Sequence, residues 1–181
     1  SKLNNRYLET EAGEPFIRIG YAEQQFILAE AVLRKWITGE GAEAYYRSGI
    51  RAAMEFTAAN TPVKYRHGVK IDDAYIASYL EGPQVKFGAS AAENLNRIYK
   101  QKYMLYFLQH EWDAFFECRR TGVPELPVNP STNMNTDPSK MLVRWMYPQT
   151  EYDRNNANVM EAIARQYDGL DNENCVMWLL K

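Results

Sequence analysis

The chain contains two histidines, His67 and His110. They form neither an HExxH motif nor an i,i+4 pair, so they do not build a zinc site between them, and His67 reads as a loop residue. Cys118 and Cys175 have no CxxC neighbour and no nearby His. Two thiols are too few for a disulfide framework, and their redox state stays open. A Ser/His/Asp or Cys/His system could meet only through the fold, since no GxSxG element is present. The glycines are scattered as helix stops and turns, so there is no phosphate-cradling loop. Among the acids, Glu111 and Asp113 lie two apart on a helical stretch and point to different sides, which argues against a pair set across one glycosidic bond. Asp72 and Asp73 read as first-turn charges. Asp168, Asp171 and Glu173 read as a turn able to meet a cation only incidentally. Trp112, Phe115 and Phe116 followed by Arg119 and Arg120 could form an aromatic platform with charged forks. Their spacing also suits core packing, with one arginine capping carbonyls or pairing with an internal acid, and this structural reading is preferred. Trp145, Tyr147 and Trp178 read as clamps. Tyr65, Tyr75, Tyr79 and Phe87 form the least constrained aromatic group, with Tyr75 and Tyr79 expected in the core. No catalytic residue, metal ligand or cofactor is assigned, and the ligand-binding residues are left unknown.

These side chains need elements to hold them. YAEQQFILAEAVLRKW (21–36) places Ala22, Phe26, Ala29, Val32, Leu33 and Trp36 at helical spacing, with one buried stripe. Gly39 to Gly41 break it, and a second helix follows over about 42–59. So short a link makes the two helices antiparallel, and Ala22, Ala29, Ala31, Ala52 and Ala53 allow close approach, as in helical repeats of about 34 residues. Residues 60–91 form an excursion with a short helix in IDDAYIASYLEG. A long helix is predicted over 91–109, with Leu95, Ile98, Tyr99, Lys102, Leu105 and Leu108 on its face. A fourth helix, or an extension bent near His110, ends at Gly122 and Pro124. The Pro- and Asn-rich stretch beyond Pro124 predicts a long coil wrapping the helical body. MLVRWMY (141–147) reads as a short strand, a last helix runs from Asn155 or Asn156 to Tyr167, and the tail CVMWLL is expected to dock in the core.

The chain has 181 residues, 46% hydrophobic and 24% charged, in the range of a folded body of one ordinary domain. Its 21 basic and 23 acidic residues provide no basic field, which argues against nucleic acid as a partner. Aromatic residues reach 13%, with thirteen Tyr and four Trp, a composition that favours cores, interfaces and carbohydrate-facing surfaces. No stretch approaches the roughly 20 apolar residues of a membrane span, and the N-terminus lacks a secretory apolar core.

Several blocks, in order, resemble the SusD/RagB family of outer-membrane nutrient-binding lipoproteins: YAEQQFILAEAVLR (21–34), YYRSGIRAAM (45–54), IYKQKYMLYFLQHEWDAFFECRRTGVPEL (98–126), RWMYPQTEYDRNNANVMEAI (144–163) and DGLDNENCVMWLLK (168–181). HEW stands where that family prefers a small residue before its aromatic. The resemblance implies an all-α fold of tetratricopeptide-like helical hairpins: hairpin 20–59, excursion 60–91, long helices 92–122, and wrapping coil, short helix and tail over 123–181, in one SusD-like C-terminal region. It implies capture of an oligosaccharide or other nutrient, without cleavage, beside a TonB-dependent SusC-like transporter. It further implies surface exposure on the outer membrane, lipid-anchored through an N-terminal part absent from this chain. Family members are about three times longer, and most of their ligand surface precedes these blocks. A repeat pair without its neighbours leaves an apolar face wet, so the chain alone is expected to melt early or self-associate. The rival readings are a helical-repeat module binding another protein, and an all-helical glycosidase with two carboxylates roughly 5 to 10 Å apart.

Overall fold

Every regular element in the computed structural model, which describes residues 2–11, 13–110 and 112–180, is helical, and no strand occurs among them. The apolar stripe read at 21–36 forms α2 (Tyr21–Leu33), and the stretch after Gly41 forms α3 (Ala42–Asn60). The short helix α1 (Arg6–Glu9) precedes them. Ala22 shares one small cavity with Ala52 and Ala53, whereas Phe26 meets Tyr46 and Gly49. Rising numbers in α2 match falling numbers in α3, so the hairpin is antiparallel as its short link requires. Helix α2 stops before Trp36 because Lys35 turns left-handed (φ 59°). The Trp36 amide donates to the Ala31 carbonyl and the Lys35 amide to that of Val32, which closes the last turn. Trp36 is left exposed.

The excursion does more than connect. Asp72 accepts a hydrogen bond from the Tyr75 amide (3.0 Å) and starts α4 (Asp73–Leu80). Ile76 and Leu80 of α4 bury against Phe26, Tyr46 and Ile50 of the hairpin. The Tyr46 hydroxyl donates to the Val85 carbonyl (2.9 Å), and Phe87 stacks on the Tyr46 ring (4.4 Å between centroids). Tyr65 is buried, donating to Glu9 (3.0 Å) while its carbonyl accepts from Asn4 (2.9 Å). Phe87 and Tyr65 are therefore tied down, where sequence suggested little constraint. Tyr75, expected in the core, is exposed on the outer face of α4, and the Tyr79 hydroxyl accepts from Gln101 (2.9 Å).

Ser90 accepts from the Glu93 amide (3.3 Å) and opens α5 (Ala91–Leu105). Ile98 and Tyr99 of this helix complete the core. The helix ends four residues before the expected Gln109. Residues 106–109 turn, with Leu108 left-handed at φ 57°. Helix α6 (Asp113–Thr121) follows and ends at Gly122, which takes the left-handed cap (φ 71°). Trp112 and Phe116, whose spacing suggested core packing, are about half exposed.

The chain divides into two units, residues 1–124 and 125–181. In the second, coil runs to Pro148, after which α7 (Gln149–Tyr167) begins six residues before the expected Asn155. Pro148 ends the coil at the N-cap, where its missing N–H costs nothing, and Asn155 is a non-helical residue within α7 (φ −139°). MLVRWMY is not a strand: the Val143 and Arg144 amides both donate to the single Glu173 carbonyl (2.9 and 3.4 Å), a clasp rather than a ladder. The tail does not dock in a core, since Trp178 is 74% exposed.

At Gly49 the backbone of α3 lies close against α2, because a Cβ there would stand 2.7 Å from the ring of the buried Phe26. Gly49→Ala is expected to cost about 1–3 kcal/mol in urea unfolding. Gly41→Ala, where a Cβ meets nothing within 4 Å, should be close to neutral.

Candidate functional site

Two features of residues 1–124 could carry function. The first is a set of charges joining α2, α5 and α6, with Glu30, Lys102 and Glu117 buried and Arg34 and Arg120 reaching to the surface. The Glu30 side chain, 6% exposed, accepts both ends of the Arg120 guanidinium (2.8 Å each). It also accepts from Arg34 (2.8 Å) and the Tyr99 hydroxyl (3.0 Å). Arg120 reaches Glu117 as well (2.7 and 3.1 Å), and Lys102 donates to Glu117 (2.8 Å). Burial pushes the Glu30 carboxyl up, but the hydrogen bonds from Arg120, Arg34 and Tyr99 outweigh it and hold the group at about 2. Glu117 is also held low: burial opposes this, and Arg120 and Lys102 overcome it. Both carboxylates are committed to one guanidinium and stay ionised near neutrality, so they suit a fixed joint and not general acid chemistry.

The second feature is a surface recess of about 770 Å³ where the end of α5 and the turn after it meet the segment before α2. Its edges are Phe16, Tyr103, Met104, Phe107 and Leu108, all exposed. Gln109, Tyr106 and His110 among its polar groups are engaged within the protein. Buried Gln109 accepts from the Ile17 amide (2.9 Å) and donates to Glu14 (2.8 Å) and the Pro15 carbonyl (3.2 Å). The Tyr106 hydroxyl donates to Glu23 (2.8 Å), and burial followed by the Glu23 charge pushes it well above its ordinary range. His110 Nδ1 lies 2.6 Å from Asp113, and its ring faces Phe16 and Tyr106.

The residues singled out in the sequence go to different places. His67 sits in a left-handed turn (φ 50°), and His110 lines the recess. Asp72 caps α4 and Asp73 pairs with Arg51 (2.6 Å). Glu111 lies outside the described residues, while Asp113 belongs to His110. Arg120 is the arginine that pairs with internal acids, and Arg119 lies over the Phe115 and Phe116 rings (5.5 and 5.1 Å). Cys118 and Cys175 are free, and burial pushes the Cys118 thiol up. In the second unit Asp168 takes the left-handed cap of α7. Asp171 is held by Arg144 (2.5 Å), the Tyr152 hydroxyl (2.6 Å) and the Tyr147 amide (2.9 Å), and the Glu173 carboxylate accepts from Thr136. Trp145 is exposed, and Tyr147 lies beside the Arg144 guanidinium (5.6 Å). Among the described residues no group of three His, Cys, Asp or Glu side chains could hold a metal ion. Glu30, Lys102 and Glu117 were not singled out as a site, although Glu30 lies four residues after Phe26 on the buried stripe of α2, an available signal. The recess had none, because Phe16 and Phe107 meet only in the fold.

A family of SusD-like proteins, described as starch-binding and associating with the outer membrane, matches residues 1–148, and the chain belongs to this family. Among solved structures, a SusD homologue from Bacteroides fragilis is 47% identical with a TM-score of 0.89, over 98% of this chain and 38% of its own. A second homologue from the same species is 40% identical (TM-score 0.84), again over 98% and 38%. An outer membrane protein of Bacteroides vulgatus linked with nutrient binding is 36% identical (TM-score 0.81), over 98% and 37%. The chain thus spans less than two fifths of these relatives. A search of curated proteins returns no match. No described helix is long and apolar enough to cross a membrane.

Glu30→Ala removes the carboxylate shared by Arg120, Arg34 and Tyr99, while Glu117 keeps Lys102 and Arg120 and the Arg120 side chain is 42% open to water, so it should cost about 1–3 kcal/mol in chemical unfolding. The folded Glu30 pKa lies below the ordinary 4.5, so its contribution is full above that pH and is lost as pH falls towards about 2. Unfolding followed across that window should show a steeper acid loss in the natural protein than in Glu30→Gln.

Proposed function

We propose that this chain is the helical scaffold portion of a cell-surface nutrient-binding protein that captures oligosaccharide and passes it, uncleaved, to a TonB-dependent SusC-like transporter. The observation carrying this reading is the match to a SusD homologue over 98% of the chain at 47% identity. The family description adds starch binding and the outer membrane. The local geometry is consistent with it. Glu30 of α2 and Glu117 of α6, both buried, are locked to arginine and lysine, so the helices act as framework. A ligand surface is then supplied by other parts of the body, and a lipid anchor outside these residues would hold that body to the membrane.

The test uses outer membranes of cells producing the protein, solubilised in mild detergent and recovered with an antibody to this chain. A TonB-dependent barrel protein should co-purify. The recovered material should be retarded in native gels containing soluble starch and release no reducing sugar from maltoheptaose. Recovery from the soluble fraction without a barrel protein would overturn the uptake role, and maltoheptaose cleavage would overturn the binding-only role.

A further inference from the structure

The recess at the end of α5 holds two unfavourable features at once. Phe16, Met104, Phe107 and Leu108 stand 51 to 61% exposed around one hollow, whereas single exposed apolar side chains are usually scattered. Leu108 also sits at φ 57°, a conformation that costs energy for a residue with a Cβ and an apolar side chain, yet it stays in water. Strain of that kind persists where something gains from it.

The chemistry of the recess selects the occupant. A sugar ring needs donors and acceptors around its hydroxyls. Here Gln109 is engaged at both ends, the Tyr106 hydroxyl belongs to Glu23, and His110 Nδ1 faces Asp113. Besides the hydroxyl of the exposed Tyr103, aromatic and aliphatic edges remain, which suit apolar side chains of a protein segment. The relatives supply the candidate, since about three fifths of each of the first two SusD homologues lies outside the stretch shared with this chain.

We propose that the recess lined by Phe16, Met104, Phe107 and Leu108 is the seat of the remaining SusD-like body, filled by apolar side chains from polypeptide outside these 181 residues. This rests on the chain being part of a SusD-like body and is independent of which nutrient that body binds. The turn at 106–110 is then a joint: it ends α5, presents Phe107 and Leu108 outward, and fastens inward through Gln109.

The test compares the 181-residue chain with a chimera in which it replaces the matched stretch of the 47%-identical Bacteroides fragilis homologue. Met104→Glu should leave the melting of the free chain within about 1 °C, Phe107→Glu, whose ring also stands edge-on to Tyr7 (6.2 Å), should lower it by about 2 °C, and each should lower that of the chimera by about 4 °C more than that of the free chain. The apolar dye anilinonaphthalene sulfonate should brighten on the free chain, less so on its Phe107→Glu variant, and not on the chimera. Equal small effects in both contexts would overturn the proposal, because the recess would then be open in the whole body. Unfolding of the free chain by either substitution would also overturn it, as would a chimera that does not fold. So would light scattering showing that the chimera itself dimerises and that Phe107→Glu dissociates it, for then a second copy is the occupant. A chimera that behaves as expected but fails to bind maltoheptaose would count against the nutrient reading alone.

Discussion

One carboxylate organises the first unit. Glu30 projects from the buried stripe of α2 into a place where an unpaired charge could not remain, and the fold answers with Arg120 from α6, Tyr99 from α5 and Arg34 from its own helix. Arg120 then fixes Glu117, and Glu117 fixes Lys102, so each charge is held by a neighbour on another helix or one turn away. Apolar packing alone tolerates sliding of one helix past another. A bidentate guanidinium does not, because both of its bonds have direction. The core of Phe26, Tyr46, Ile50 and Ile98 supplies cohesion, and the ionic joint sets the relation among α2, α5 and α6.

Much of this was legible in the sequence. The 3.6-residue stripe of 21–36 and the glycines at 39 and 41 gave the hairpin, Asp72 and Asp73 marked the first turn of α4, and Gly122 gave the end of α6. The helix ends that were missed depend on residues without a strong turn signature. Lys35 closes α2 in a conformation usually left to glycine, and Leu108 does the same after α5. The start of α7 was hidden because Pro148 reads equally as coil or as a helix N-cap. MLVRWMY alternates like a strand, but alternation specifies an edge and not a partner, and what it meets is one carbonyl.

The joint was harder to read than the core for a physical reason. An acid on an apolar stripe is ordinarily counted as solvent-facing, and its meaning appears only when the arginine ninety positions away is seen to cover it. The aromatic run at 112–116 erred in the opposite direction. Its spacing is that of a buried helix, yet Trp112 and Phe116 are 51% and 41% exposed, so periodicity reported the pattern and not the depth of burial. Membership of the SusD-like family came from blocks in order, where no single residue carried it.

The second unit rests on a different balance. Among its described residues the buried apolar side chains are Val159 and Ile163, while the buried Arg144 stacks on Tyr167 (4.2 Å) and ties Asp171, itself bound by Tyr152 and Tyr147, to the coil. Burial raises the Asp171 carboxyl, and the Tyr152 and Arg144 bonds bring it below its ordinary value, so this knot weakens as acid protonates it. Hydrophobic cohesion fades on cooling, whereas directional polar bonds keep their geometry. Residues 125–181 therefore owe their shape to a charge state more than to an oily interior, and chilling should loosen them less than souring.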